Sequence, residues 1–426
     1  MGFISERLKD VPLPQMVKVR QTFPRPVLNN LEKEVEEQIR AAKIASTIRK
    51  GDNIAVAVGS RGIANLPVLI KQIVRQIKQL GANPFIFPAM GSHGGATPEG
   101  QKHILEALGI CERDMGVPVK SSMETVQIGT TNSGLPVFLD RYANDADGLV
   151  IVNRIKPHVG FRGDYECGLV KMIAAGAGKQ KGAEACHGMG FGQMAGNILD
   201  AAKMTIATGK LIFGVGILEN AYNETCKLAF LTPEEILREE PGLLAEAKAL
   251  SPGIPFQQLD VLLIDEIGKN IAGTGLDTNV VGRYHTPYAS GGPDITKMVV
   301  FDLTDQSHRN ANGIGIVDFT TRRLFEKMSF EQTYPNSLTS TVQNSVKIPM
   351  ILDNDRLAIS AAIQTCNIRD KQNVRMVRIK NTKNLESFFA SETLLDEIRG
   401  NETLTISGSL NRIVFDPDGN LLDMKQ

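Results

Sequence analysis

An apolar strand, a glycine-rich loop and a helix recur in succession through the first half of this chain, and that order narrows the possible folds most. "DNIAVAVGS" (52–60) reads as a buried strand, and "LPVLIKQIVRQIKQLG" (66–81) as a helix stopped by Gly81. "NPFIFPAM" (83–90) is the next strand, "GSHGGAT" (91–97) its loop, and "PEGQKHILEALG" (98–109) a helix with Pro98 suited to its first turn. Ahead of them, 29–50 reads as an amphipathic helix; after them come the strands "DGLVIVNRI" (147–155) and "LIFGVGILENA" (211–221). Strands alternating with helices imply a mostly parallel sheet covered by helices, with ligands at the loops after the strands' carboxyl ends. The fold class expected is α/β.

A chain of 426 residues is long enough for two such domains. "SPGIPFQQ" (251–258) reads as a linker, and a new strand, "LDVLLIDEIG", begins near 259. The strand "DITKMVVFDLT", the helix-like "TTRRLFEKMSFEQTY" and a closing hairpin at "FDPDGN" complete a second α/β unit. The expected division is 1–255 and 256–426, with the active site in the cleft between two mostly parallel sheets. Basic and acidic residues both total 47, so no net field draws the protein to nucleic acid or an anionic membrane. The first residues lack a signal peptide's apolar core, and no window resembles a membrane span. Five scattered cysteines without a CxxC pair suit a reducing compartment, so the expected location is cytoplasmic.

Three loops follow the first domain's strands: "GSRGIAN" (59–65), "GSHGGAT" (91–97) and "NRIKPHVGF" (153–161). If all open at one sheet edge, Arg61, His93 and His158 converge there. An arginine fork suits a substrate carboxylate, and two histidines suit proton transfer on opposite faces of one carbon. Each loop alone is equally a plain turn, and the glycines around Ser92 and Gly94 equally form a backbone cradle for a phosphate. "GAGKQKG" (176–182) invites the cradle reading too, but matches neither the Walker A nor the GxGxxG pattern.

Order and spacing make the set specific. His158 is followed by Lys171 in "GLVKMIAAGAG" thirteen residues on, and by His187 in "EACHGMGF" sixteen further. In this the chain resembles the lactate racemase family, whose members use a nickel pincer nucleotide (the nickel-bearing mononucleotide of pyridinium-3,5-bisthiocarboxylic acid). The resemblance implies that Lys171 carries the cofactor covalently and His187 ligates nickel. It implies further that His93 and His158 move protons, Arg61 holds the substrate carboxylate, and Glu266 and Lys269 of "DEIGKNIAGTG" close over the substrate. Ser92 and Gly94 then border the cofactor. Implied partners are a small 2-hydroxy acid and the enzymes that make the pincer; the implied reaction is inversion at the carbinol carbon by transient hydride transfer. "FRGDYECG" (161–168) is longer than the family's usual Ser-Gly-Gly run, and its Arg162, Asp164 and Glu166 suggest a larger or more oxygenated substrate than lactate. The signature "GTGLDTNVVGR" (273–283) points to a separate branch of the family. Two other readings stand beside this one: a metal-dependent hydrolase using His93, His158 and His187, and a nickel- or nucleotide-binding module without turnover.

Overall fold

The computed structural model describes residues 2–41 and 43–422. Its contacts divide the chain into two units, Pro24–Ser251 and a second made of the segment up to Phe23 with Pro252 onward. In the first, parallel strands Asn83–Pro88, Asn53–Val58, Gly148–Arg154 and Leu211–Glu219 lie side by side in that order, and Thr225–Leu231 closes one edge antiparallel. The chain leaves Asn53–Val58 to one side and returns on the other. That makes a topological switch point, where the flanking loops diverge and leave room for a ligand.

Helix Leu66–Gln79 shows why these residues pack as they do. Leu66, Leu69, Ile70, Ile73, Val74 and Ile77 fall on one face at helical spacing and are buried. They meet Ile54, Val56, Val58, Val150 and Val152 of the strands in one core. Helix Pro98–Ala107 starts as expected, with Thr97 accepting the Gly100 N–H at its N-cap. The helix expected over 29–50 is shorter, Leu31–Ala41, with a 3-10 turn at Lys43–Ser46.

The second unit's sheet is half parallel. Strands Met350–Leu352, Phe319–Thr321, Asp294–Leu303, Gln258–Ile267 and Met376–Asn381 run parallel, and Asn384–Ser391, Gln15–Gln21 and Leu404–Ile406 extend the sheet antiparallel. Both units are thus α/β. The boundary expected at 255 falls within a few residues of Ser251, but giving residues 1–23 to the first domain is corrected. Gln15–Gln21 pairs with Asn384–Ser391, from Met16 opposite Ser391 to Arg20 opposite Ser387, and buries Val17 and Val19 beside Phe388 and Leu385. The expected "TTRRLFEKMSFEQTY" helix is two helices, Arg322–Lys327 and Phe330–Ser340. No described helix is long and apolar enough to cross a membrane.

Candidate active site

The turn that carries Lys171 is the hub. A short α-turn, Leu169–Lys171, passes directly into a π-helical turn, Met172–Gly176, whose residues are mostly buried. Such wide turns are rare and recur at functional sites. Four elements of the Pro24–Ser251 unit fasten it. Asn153 donates to the Gly168 carbonyl at 2.8 Å, and the Gly91 N–H donates to the Gly176 carbonyl at 3.2 Å. A Cβ on Gly59 would lie 3.5 Å from Met172 Cε. From helix Pro233–Leu250, the buried Glu240 carboxylate accepts the Val170 N–H at 3.0 Å and a backbone hydrogen bond from Leu169. Gly168 is glycine because a Cβ there would sit 1.9 Å from Glu240 Oε1. Burial, against these two hydrogen bonds, pushes the Glu240 carboxyl up to about 7.

His187 lies near the end of helix Lys179–Gly188. Its Nδ1 is buried without a hydrogen-bond partner. Burial first, and the Lys171 ammonium second, draw its pKa down to about 4, so at neutral pH the ring is uncharged. Cys186 beside it is buried and pushed up to about 11 by that burial, with Lys171 opposing. A thiol held protonated is a poor metal ligand, whereas a neutral imidazole with an orphaned nitrogen is a good one.

His158 joins the same cluster through aromatic rings. Its imidazole stands 4.3 Å from the Phe161 ring and 6.0 Å from Phe191; Phe191 in turn meets His187 edge-on at 5.4 Å. Lys171 Nζ lies 5.8 Å from the Phe161 ring centre. The structure therefore gathers His158, Lys171 and His187 around two phenylalanines that sequence reading passed over.

The loop bearing His158 is anchored by Glu166. This fully buried carboxylate accepts the His158 N–H at 2.6 Å and Lys248 Nζ at 2.6 Å, with Arg162 Nη1 at 3.4 Å. Arg162 also donates to the His158 carbonyl at 2.7 Å. Glu166 and Arg162 are thus engaged in holding the loop. They give no support to the larger substrate inferred from the 162–166 insertion.

His93 precedes the turn Gly94–Ala96, and its Nδ1 is hydrogen-bonded to the Ser60 hydroxyl. Its backbone is held from below: buried Gln101 donates to the carbonyls of Gly91 at 2.9 Å and His93 at 3.2 Å. Gln101 Oε1 accepts Lys179 Nζ at 3.0 Å. Lys179, fully buried, also donates to the Pro88 carbonyl at 2.5 Å, and its Nζ lies 3.2 Å from Asp140 Oδ2. That last contact is an ion pair off hydrogen-bond alignment, since Oδ2 makes no hydrogen bond. Burial lowers the Lys179 pKa and raises that of Asp140, with their mutual attraction opposing both. The GAGKQKG segment is therefore a buried structural brace for the His93 loop. Gly94 has φ 68°, and a Cβ there would meet the Gly100 carbonyl carbon at 2.6 Å, so loop packing alone accounts for this glycine.

Arg61 is exposed yet crowded: surrounding protein lowers its guanidinium pKa, and nearby Arg154 lowers it further. Arg154 pairs with Glu219, which also accepts the Ala64 N–H at 2.7 Å and so fixes the 59–65 loop. Arg61 forms no salt bridge among the described residues. A cation kept accessible, crowded and unpaired suits an anionic ligand.

In the second unit Glu266 Oε1 accepts Asn381 Nδ2 at 2.8 Å, and Lys269 Nζ donates to the Gly273 carbonyl at 2.6 Å. Among the described residues no three His, Cys, Asp or Glu side chains gather into a group able to hold a metal, so the three-histidine hydrolase finds no ligand cluster.

The fold and this loop cluster define an α/β protein with a cluster of His158, Lys171 and His187. Residues 6–196 match the lactate racemase N-terminal domain. Among solved structures it is similar to the lactate racemase apoprotein from Thermoanaerobacterium thermosaccharolyticum, at 14% identity and a TM-score of 0.42, over 67% of this chain and 74% of that one. At that score nothing further rests on the likeness. A search of curated proteins finds no match.

Proposed function

We propose that this protein is a racemase or epimerase that inverts the carbinol carbon of a small 2-hydroxy acid, using a nickel pincer nucleotide attached to Lys171. One observation carries the reading: a neutral imidazole with an unpartnered buried nitrogen, His187, stands beside the lysine that precedes it by sixteen residues. One protein ligand is what a cofactor bringing its own donors requires, and among the described residues no His, Cys, Asp or Glu cluster competes for the metal. A wholly protein-built site would need three or four ligands.

When bound, the pincer would supply a reversible hydride acceptor for the substrate's α-hydrogen, which is too weakly acidic to leave readily as a proton. This chain's residues supply the rest. Arg61 binds the carboxylate and holds the planar 2-oxo acid while its face is exchanged. His93 and His158 attend the substrate oxygen, where a proton must leave and return. Phe161 and Phe191 pack against the His158 ring, and Phe191 against His187, which shields those two rings from water and strengthens their polar contacts. The cofactor-making enzymes of the host are the implied partners, and the cytoplasm the implied location.

The test is intact and tandem mass spectrometry of protein co-produced with those enzymes, followed by polarimetry on a panel of 2-hydroxy acids. An adduct on the Lys171 peptide with loss of optical purity is expected. An adduct only elsewhere, or full activity in Lys171→Ala, refutes the attachment. Nickel retention without inversion of any substrate would favour the binding-module reading.

A further inference from the structure

Helix Pro233–Leu250 carries a proline and a glycine, Pro241 and Gly242, side by side in its interior. Both are poor helix formers, proline far the worse. A proline has no N–H, so Pro241 cannot donate to the carbonyl four residues back, and its ring crowds that carbonyl out of the helical line. Four residues back is Leu237, whose carbonyl accepts the Tyr165 hydroxyl at 2.5 Å. Burial first, then the Glu240 and Asp164 carboxylates, raise the Tyr165 pKa, so the phenol keeps its proton and remains a donor.

Tyr165 lies between His158 and Lys171, and the same helix meets this segment at two further points. Glu240 accepts the Val170 N–H at 3.0 Å, next to Lys171. Lys248 donates to Glu166 at 2.6 Å, and Glu166 in turn holds the His158 N–H. Glu240 and Lys248 follow Leu237 by three and eleven residues, which returns both to its side of the helix.

We infer that Tyr165 is a positioning residue for the segment from His158 to Lys171, and that Pro241 provides its acceptor by withholding an N–H from the Leu237 carbonyl. Glu240 and Lys248 grip the segment near its ends, and the tyrosine bond ties down the stretch between them. The longer run at 161–168 is thus fastened to the helix by Tyr165 and Glu166, which is a use for its polar residues other than contact with substrate. The bond itself stands whatever the protein catalyses; its effect on inversion rests on the proposed racemase reading.

Hydrogen–deuterium exchange of the unloaded protein tests the bond. Tyr165→Phe removes only the hydroxyl, and Pro241→Ala gives the Leu237 carbonyl an N–H partner within the helix. Each should raise amide exchange in peptides covering 161–171 by about three- to tenfold, the worth of one hydrogen bond, with peptides of helix Leu66–Gln79 unchanged. The double variant should exchange no faster than the faster single one, because both changes remove the same bond. Unchanged exchange in Tyr165→Phe, or multiplied effects in the double variant, would overturn the inference.

The role is read in cofactor-loaded protein, on whichever 2-hydroxy acid of the panel the parent inverts. Tyr165→Phe at equal nickel content should lose about tenfold or more in kcat while KM stays within about twofold, since His158 and Lys171 shift and the Arg61 loop does not. Faster exchange with an unaltered kcat, or a loss in KM alone, would overturn the positioning role. If the parent inverts no substrate the racemase reading fails, and the exchange data still decide the bond.

Discussion

The two units place polar side chains at the carboxyl edge of parallel strands and use them differently. In Pro24–Ser251, buried charges on distant elements take up the holding work: Glu219 fixes the Arg61 loop, Lys179 through Gln101 the His93 loop, Glu166 the His158 loop, and Glu240 the Lys171 turn. In the second unit the candidates do their own holding, Glu266 on Asn381 and Lys269 on the Gly273 carbonyl. A site whose scaffold is carried by other residues can leave its reactive atoms uncommitted. His187 Nδ1 and the Arg61 guanidinium show this, and Lys269 shows the opposite.

The largest effect expected from that contrast is at His187. His187→Ala should lose most bound nickel and inversion activity while melting within a few degrees of the parent, because the lost nitrogen holds nothing in the protein. Nickel by elemental analysis and calorimetry on one preparation measure both. Unchanged nickel would move the ligand elsewhere.

Next comes the scaffold. Lys179→Met removes the cation paired with Asp140 and leaves a buried carboxylate alone, a loss of about 3–5 kcal/mol by the usual cost of breaking such a pair. Lys179→Met with Asp140→Asn should recover part of it. Denaturant unfolding of the parent, single and double variants decides: a single variant as stable as the parent would remove the brace from the account of the His93 loop.

How much of this was legible follows from where each signal lies. The α/β class and the strand-end loops rest on local periodicity, which a single sequence carries, and the spacing of His158, Lys171 and His187 marked the candidate site. Strand Gln15–Gln21 was missed because its partner lies some 370 residues away and Lys18 and Arg20 blur its alternation. Lys179 looked like a surface or phosphate-loop lysine, since nothing local announces that Asp140 folds over it. Glu240 did leave a trace: Ile236, Glu240, Leu243, Leu244 and Ala247 share one helical face, so a carboxylate sat in an apolar stripe. The reading of Glu266 and Lys269 as closing over the substrate came from resemblance alone.

A smaller effect compares the units directly. Arg61→Met removes a cation without a salt bridge, so substrate KM should rise about 10- to 100-fold, the worth of one hydrogen-bonded charge. Lys269→Met removes a cation already bound to its own loop, so its KM change should be smaller and accompanied by a lower melting temperature. Steady-state kinetics on both variants, loaded to equal nickel content, test this. A larger KM change at Lys269 would reverse the contrast and return that residue to the substrate-binding role the family resemblance gave it.

A pH-dependent effect on stability follows from Glu240. In an unfolded chain its carboxyl would titrate in the ordinary glutamate range near 4.3, whereas burial pushes it up to about 7 in the folded protein. Between those values the folded state binds the extra proton, so the sign is the reverse of a salt-bridged acid. The contribution is fully present below the unfolded pKa and is lost as pH rises through 7, amounting to at most about 4 kcal/mol. Glu240→Gln cannot ionise, and its amide oxygen can still accept the Val170 N–H. Its NH₂ would lie where Oε1 now lacks a partner, which offsets part of the gain. Calorimetry from pH 5 to pH 8 should show the parent losing stability relative to the glutamine variant, with the two curves converging or crossing at the acid end. Parallel curves would mean that the carboxylate is solvated in the folded protein, and that the Lys171 turn is held less tightly than its hydrogen bonds imply.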